Sequence, residues 1–112
     1  MKICIIGTGY VGLVSGTCFA EIGHNVICAD IDKKKIDKLK SGIIPIFEPG
    51  LEELVKRNSD QDRLKFSSDV PLSIKNSKIV FICVGTPTNK ITKKANLKYV
   101  FNVTNNIKNN LN

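Results

Sequence analysis

Residues 71–112 contain no acidic side chain, and the whole chain has one histidine, no C-x-x-C pair and no long apolar run. Each absence removes a class of answer. His24 has no partner at ligand spacing, so a Cys/His metal centre is excluded. The cysteines Cys4, Cys28 and Cys83 fall inside apolar strand runs, and Cys18 falls on an apolar helical stripe. That is the placement of small buried hydrophobes, not of a disulfide framework, and it implies a reduced, cytoplasmic protein. No segment approaches the length that spans a bilayer. Gly7 interrupts the first apolar stretch too early for the core of a signal peptide, so none is expected. There are no internal repeats.

The missing acids leave the charge lopsided. The net charge is +7, and residues 71–112 carry it as Lys75, Lys78, Lys90, Lys93, Lys94, Lys98 and Lys108. A nucleic-acid groove would add arginines and interleaved stacking aromatics, which this region lacks. A solvated lysine-rich surface is the reading that remains, with some long-range attraction for a phosphate-bearing ligand.

What is present begins at the amino end. The run Ile3-Cys4-Ile5-Ile6 feeds into Gly7-Thr8-Gly9-Tyr10-Val11-Gly12, and a second run, Val26-Ile27-Cys28-Ala29, closes on Asp30. A buried strand, a glycine turn, a helix, a second strand and a terminal acid form the dinucleotide-binding fingerprint. Gly7 permits the sharp turn, Gly9 lets a pyrophosphate approach the backbone, and Gly12 lets the helix pack close to the sheet. The helix start, at Tyr10 and Val11, offers free N–H groups and partial positive charge. Asp30 can accept hydrogen bonds from both hydroxyls of the adenine-side ribose, and its carboxylate repels a 2′-phosphate, which favours NAD over NADP. Lys33, Lys34 and Lys35 oppose the dipole of the helix they open. Solvation accounts for Lys33 and Lys34, whereas Lys35 is either solvated or beside the adenosine end of the cofactor.

Further along, the first helix has a predicted apolar stripe of Val11, Val14, Cys18 and Ile22, stopped by Gly23 in a left-handed cap. Asp32 caps a helix to about Lys40, with Ile36 and Leu39 inward and Gly42 as its stop. Pro49 suits a first helical turn, followed by Glu52 and Glu53 and an inward face of Leu51, Leu54 and Val55. Asn58 to Asp62 is predicted as a polar turn, Leu64 to Phe66 as a short strand, and Val70 to Ile74 as a helical turn capped by Ser68 or Asp69. Ile79 to Val84 has the composition of a central parallel strand buried on both faces. Gly85 and Thr86 follow it, where backbone and hydroxyl could approach a cofactor and Pro87 stiffens the turn; plain turn chemistry is the alternative. Asn89 to Asn96 is a basic loop, and Leu97, Val100, Phe101, Thr104, Ile107 and Leu111 mark a last helix.

The alternation β-α-β-α-α-β-α-β-α predicts an α/β fold, a Rossmann-like doubly wound parallel sheet. At 112 residues it is one domain at most, and incomplete, since a full doubly wound sheet needs two βαβαβ halves. Ligands of such sheets sit beyond the strand carboxyl ends, which is where Gly9, Asp30 and Thr86 fall.

The stretch Lys2 to Leu13 resembles the opening of UDP-glucose 6-dehydrogenases, in the UDP-glucose/GDP-mannose dehydrogenase family. Phe19-Ala20-Glu21-Ile22-Gly23-His24, Ala29-Asp30-Ile31-Asp32, Pro45-Ile46-Phe47-Glu48-Pro49-Gly50-Leu51 and Val84-Gly85-Thr86-Pro87-Thr88 resemble the blocks that follow, in order. The last two are far more specific than the glycine turn, and Leu13 to Cys18 favours the UDP-glucose members. The resemblance implies oxidation of UDP-glucose to UDP-glucuronate with two NAD, through a cysteine-bound thiohemiacetal and thioester, in a homo-oligomeric full-length enzyme. It implies an NAD site lined by Val11, Asp30, Lys35 and Thr86 beside the glycine turn, with Glu48 and Pro49 as scaffold.

The pattern departs from the family at Lys93-Lys94-Ala95-Asn96-Leu97, where acids are usual. None of Cys4, Cys18, Cys28 or Cys83 matches the setting of the family's nucleophile, so no catalytic residue is assigned. The expectation is that residues 1–112 are the N-terminal part of the NAD domain, ending after the helix that follows the fourth strand. The linking helix and the sugar-nucleotide domain then lie outside it, and the chain alone is inactive. Two alternatives stand beside this reading. One is another nucleotide-sugar dehydrogenase, acting on GDP-mannose or a UDP-N-acetylhexosamine. The other is a stand-alone NAD-sensing regulatory module, against which the Glu-Pro-Gly-Leu and Gly-Thr-Pro-Thr blocks argue.

Overall fold

The computed structural model describes residues 1–84 and 107–109. Four strands form one parallel sheet: β1 (Lys2–Ile6), β2 (Asn25–Ala29), β3 (Leu64–Ser67) and β4 (Ile79–Ile82), in the order β3-β2-β1-β4. The helices are α1 (Tyr10–Glu21), α2 (Lys33–Lys40), α3 (Leu51–Asp60) and α4 (Val70–Lys75). This is the predicted alternation. The chain lays strands outward from β1 to β3 and then crosses to the other side of β1 to place β4. The carboxyl ends of β1 and β4 therefore flank the topological switch point.

Successive side chains of a strand point to opposite faces, and the two faces have separate cores. Ile3 and Ile5 of β1 join Val26, Cys28, Leu64 and Phe66 beneath α1, α2 and α3. Cys4, Ile6 and Ala29 join Val70 and Ile74 of α4 on the other face, where Ile107 also packs. Residues 107–109 are helical; the rest of the predicted last helix, the basic loop, Gly85 and Thr86 lie outside the described residues.

Helix α1 departs from its predicted stripe. Val11 and Ile22 are 63% and 72% exposed, and Cys18 is exposed as well. The buried face is Gly12, Leu13, Gly16, Thr17 and Ala20. Small residues, not large ones, let this helix lie against the sheet: a Cβ at position 16 would stand 2.7 Å from the Cys28 Sγ and 3.2 Å from the Ile5 Cγ1. Thr17 satisfies its buried hydroxyl by donating to the Leu13 carbonyl at 2.7 Å. The stop is as predicted. Gly23 has φ +109°, and the N–H groups of Gly23 and His24 return to the carbonyls of Ala20 and Phe19, a Schellman cap.

Helices α2 and α4 are capped as predicted. Asp32 accepts from the N–H groups of Lys34 and Lys35, and Asp69 from that of Leu72. Ile36 and Leu39 are buried. Pro49 falls just outside α3, because Gly50, at φ +81°, is its N-cap. Leu51 and Val55 are buried, with Leu54 half-buried. Asn58 is not in a turn. Helix α3 continues through it and buries it completely. Its amide donates to Glu21 at 2.7 Å and to the Leu54 carbonyl at 2.8 Å, while its oxygen accepts two bonds from Arg63. Arg57 also pairs with Glu21. The amide of Asn58 and then Arg57 hold the Glu21 carboxyl below the usual glutamate range, against an opposing effect of lost hydration.

Strand β4 also differs from expectation. Among the described residues it is an edge strand, and Ile79, Phe81 and Ile82 are 37–42% exposed. Its apolar composition predicts a central strand buried on both faces; among the described residues β1 alone flanks it, and Phe81 stacks on Phe19 of α1 with ring centroids 5.2 Å apart.

Candidate dinucleotide site

Backbone hydrogen bonds continue the ladder past the strand ends and tie the four termini together. Gly7 N–H donates to the Ala29 carbonyl at 2.8 Å, Asp30 N–H to Ser67 at 3.1 Å, and Cys83 N–H to Ile6 at 2.7 Å. The glycine turn is built on this rim. Gly7 has φ +104°, a conformation costly for any residue with a Cβ. A Cβ there would also stand 2.5 Å from the Cys83 carbonyl oxygen. At Gly12 a Cβ would meet the Gly7 carbonyl oxygen at 1.9 Å, so the absent side chain allows the helix to start directly beneath the turn. Gly9 is different: among the described residues a Cβ there meets nothing within 4 Å. None of the described residues fills the space in front of Gly9, as close approach of a ligand to the backbone requires.

Gly9 is also the N-cap of α1 and supplies no side-chain acceptor to it, and no acid stands in the first turn. The leading N–H groups, beginning at Tyr10 and Val11, therefore face outward with the positive end of the helix dipole. Asp30 is brought to the same place. Its Oδ2 accepts from the Thr8 N–H at 3.0 Å and from the Thr8 hydroxyl at 2.8 Å, and its Oδ1 accepts from the Asp32 N–H at 2.9 Å. The acid at the end of β2 is thus bonded to the middle of the glycine turn.

Of the residues singled out from sequence, Gly7, Gly9, Tyr10, Val11, Gly12 and Asp30 converge on this rim. Lys35 lies in the first turn of α2 with its side chain exposed, and Gly85 and Thr86 are outside the described residues. Sequence reasoning missed Thr8, which occupies a variable position of the motif; only its contact with Asp30 reveals it. Glu48, expected as scaffold, accepts a 2.8 Å hydrogen bond from the Tyr10 hydroxyl, which carries the loop before α3 to the start of α1. That bond, and then the charge of Glu48, raise the pKa of the Tyr10 phenol.

The cysteines offer no activated nucleophile at this rim. Burial pushes the Cys4 thiol up to about 12. Burial, then the neighbouring Cys4 and Cys83, push Cys28 up strongly as well. Cys18 is exposed on α1, which corrects the expectation that all four are buried. Among the described residues no cluster of His, Cys, Asp or Glu could hold a metal ion. Among them, too, no helix is long and apolar enough to cross a membrane.

A parallel sheet with a glycine turn at its switch point, an uncapped helix start and an acid at the next strand end defines a Rossmann dinucleotide-binding domain. The model of the UDP-glucose/GDP-mannose dehydrogenase family, NAD binding domain, matches residues 1–112, and the chain belongs to that family. It is 60% identical over 99 residues to the UDP-glucose 6-dehydrogenase TuaD of Bacillus subtilis, covering 88% of this chain and 21% of the relative. It is 51% identical over 111 residues to a UDP-glucose 6-dehydrogenase of Rhizobium meliloti, covering 99% of this chain and 25% of the relative. Among solved structures, a ternary complex of GDP-mannose dehydrogenase from Pseudomonas aeruginosa matches with a TM-score of 0.90 and 40% identity, over 96% of this chain and 24% of that one. The chain thus spans between a fifth and a quarter of the length of these relatives.

Proposed function

We propose that this chain is the N-terminal NAD-binding part of an NAD-dependent UDP-glucose 6-dehydrogenase, which converts UDP-glucose and two NAD to UDP-glucuronate. The observation that carries the NAD site is the bonding of Asp30 to the glycine turn, at 2.8 and 3.0 Å, across the carboxyl ends of adjacent strands. In this reading Gly9, with the N–H groups of Tyr10, Val11 and Gly12, receives the pyrophosphate. Asp30 receives the adenine-side ribose, and Gly7 and Gly12 shape the turn. Lys35, Gly85 and Thr86 complete the lining. NAD, when bound, supplies a hydride acceptor, and two are needed because an alcohol becoming a carboxylate gives up four electrons.

The described residues bind and orient the cofactor; the sugar-nucleotide domain and linking helix belong to the remainder of a protein with the relatives' length. UDP-glucose is favoured because the relatives at 60% and 51% identity are UDP-glucose 6-dehydrogenases. A cytoplasmic location and a homo-oligomeric full-length protein belong to the same proposal; the first is supported by four free thiols. The test is a spectrophotometric assay of the full-length protein with UDP-glucose, GDP-mannose and UDP-N-acetylmannosamine, each with NAD or NADP. Two NADH per UDP-glucose is the expected result. Activity with NADP alone, or with another sugar nucleotide in place of UDP-glucose, would refute the assignment.

A further inference from the structure

We propose that Thr8 is a positioning residue that sets the cofactor preference by locking the Asp30 carboxylate to the glycine turn; this rests on the NAD reading of the site. The bonding of Asp30 carries the argument. A carboxylate offers about four acceptor positions. Two donors from Thr8 occupy Oδ2, and the Asp32 N–H occupies one position on Oδ1. The second position on Oδ1 is left for one ribose hydroxyl, not for both as the sequence predicts. Thr8 is 3% exposed, so water has little access to replace its hydroxyl or to give it another partner. Its neighbour Gly7 is bonded to the end of β2 through Ala29. Turn, strand end and acid therefore form one body.

The consequence concerns selectivity. An acid held on the turn keeps negative charge where a 2′-phosphate would have to sit. Without the Oγ bond, Oδ2 keeps only the Thr8 N–H and Oδ1 only the Asp32 N–H, so the carboxylate is held less firmly, which weakens its grip on a ribose and relaxes its exclusion of a phosphate. Valine at position 8 keeps the shape and the backbone N–H and deletes only the hydroxyl.

The experiment is titration of the full-length protein with NAD and with NADP, in wild type, Thr8→Val, Thr8→Ser, Asp30→Ala and the Thr8→Val/Asp30→Ala double variant. Thr8→Val is expected to raise the Kd for NAD by roughly tenfold, because a less firmly held carboxylate must be ordered when the ribose binds. The Kd for NADP does not rise with it, so the preference for NAD narrows by a similar factor. Thr8→Ser restores both values to within about twofold. In the Asp30→Ala background the valine has no further effect beyond about twofold, because Thr8 acts through Asp30. Equal weakening of NAD and NADP by Thr8→Val, or a full additional loss in the Asp30→Ala background, would overturn the proposal. Unchanged NAD affinity and preference in Asp30→Ala itself would sink the reading of the site on which it rests.

Discussion

Glycine-to-alanine changes at positions 9 and 12 separate what the turn does for folding from what it does for a ligand. At Gly12 the new Cβ would lie 1.9 Å from the Gly7 carbonyl oxygen and 3.3 Å from the Cys83 Cβ. Carbon and carbonyl oxygen approach to roughly 3.3 Å, so the turn must open by about 1.4 Å. The neighbours are backbone and strand end, which cannot swing away. Overpacking of this kind costs about 1–3 kcal/mol, and the rigid partner puts Gly12→Ala at about 3 kcal/mol or more. At Gly9 the Cβ meets none of the described residues within 4 Å, and φ −76°, ψ −166° is extended backbone open to alanine. The poorer N-cap costs about 0.5–1 kcal/mol, and the stiffer unfolded chain returns about 0.4–1 kcal/mol. The two nearly cancel, so Gly9→Ala keeps its stability to within about 1 kcal/mol. Its methyl group nevertheless fills the space where the pyrophosphate would lie, and the Kd for NAD rises at least about tenfold, equivalent to ~1.4 kcal/mol. Denaturant unfolding paired with calorimetric titration reads both quantities. Wild-type NAD affinity in Gly9→Ala would refute the assignment of that space. A stability loss in Gly9→Ala equal to that of Gly12→Ala would refute the geometry.

Two further predictions concern packing. Asn58→Ala removes four hydrogen bonds from a fully buried amide and strips partners from Glu21 and Arg63; a loss of about 2–3 kcal/mol is expected in urea unfolding. The folded-state pKa of Glu21 is depressed, so its contribution is present above the ordinary carboxylate value near about 4.3 and fades as pH falls through the folded value. Wild type therefore loses stability more steeply than Asn58→Ala between about pH 5 and 3, and parallel pH curves would contradict this. In thiol labelling of the folded protein, Cys18 reacts first and Cys4 and Cys28 react only on unfolding, since both are buried and their thiols are held in the protonated form; simultaneous labelling would count against the fold.

The sequence was most readable where one residue type has one physical use. Gly7, Gly23 and Gly42 take up left-handed conformations, Asp32 and Asp69 cap helices, and the runs around Ile5 and Cys28 are strands. The glycine turn and Asp30 were equally legible, because turn geometry alone does not require an acid at the end of the next strand. The failures share a cause. On α1, large apolar residues drew attention away from Gly12, Gly16 and Ala20, whose smallness is what lets the helix approach the sheet. At Asn58, polarity suggested a turn, because its bond to Glu21, on a helix far away in sequence, is invisible in a local window. Thr8 is in a motif position where any residue is formally permitted, so its role emerges only from its bonds.

Gly9 leaves the first turn of α1 without the side-chain lid that Asp32 and Asp69 give to α2 and α4. In the proposed reading the pyrophosphate of the cofactor takes that place. Occupancy and thermal endurance then become a single equilibrium, and the domain should be hardiest in a cell rich in its nucleotide and first to fray when that pool is drained.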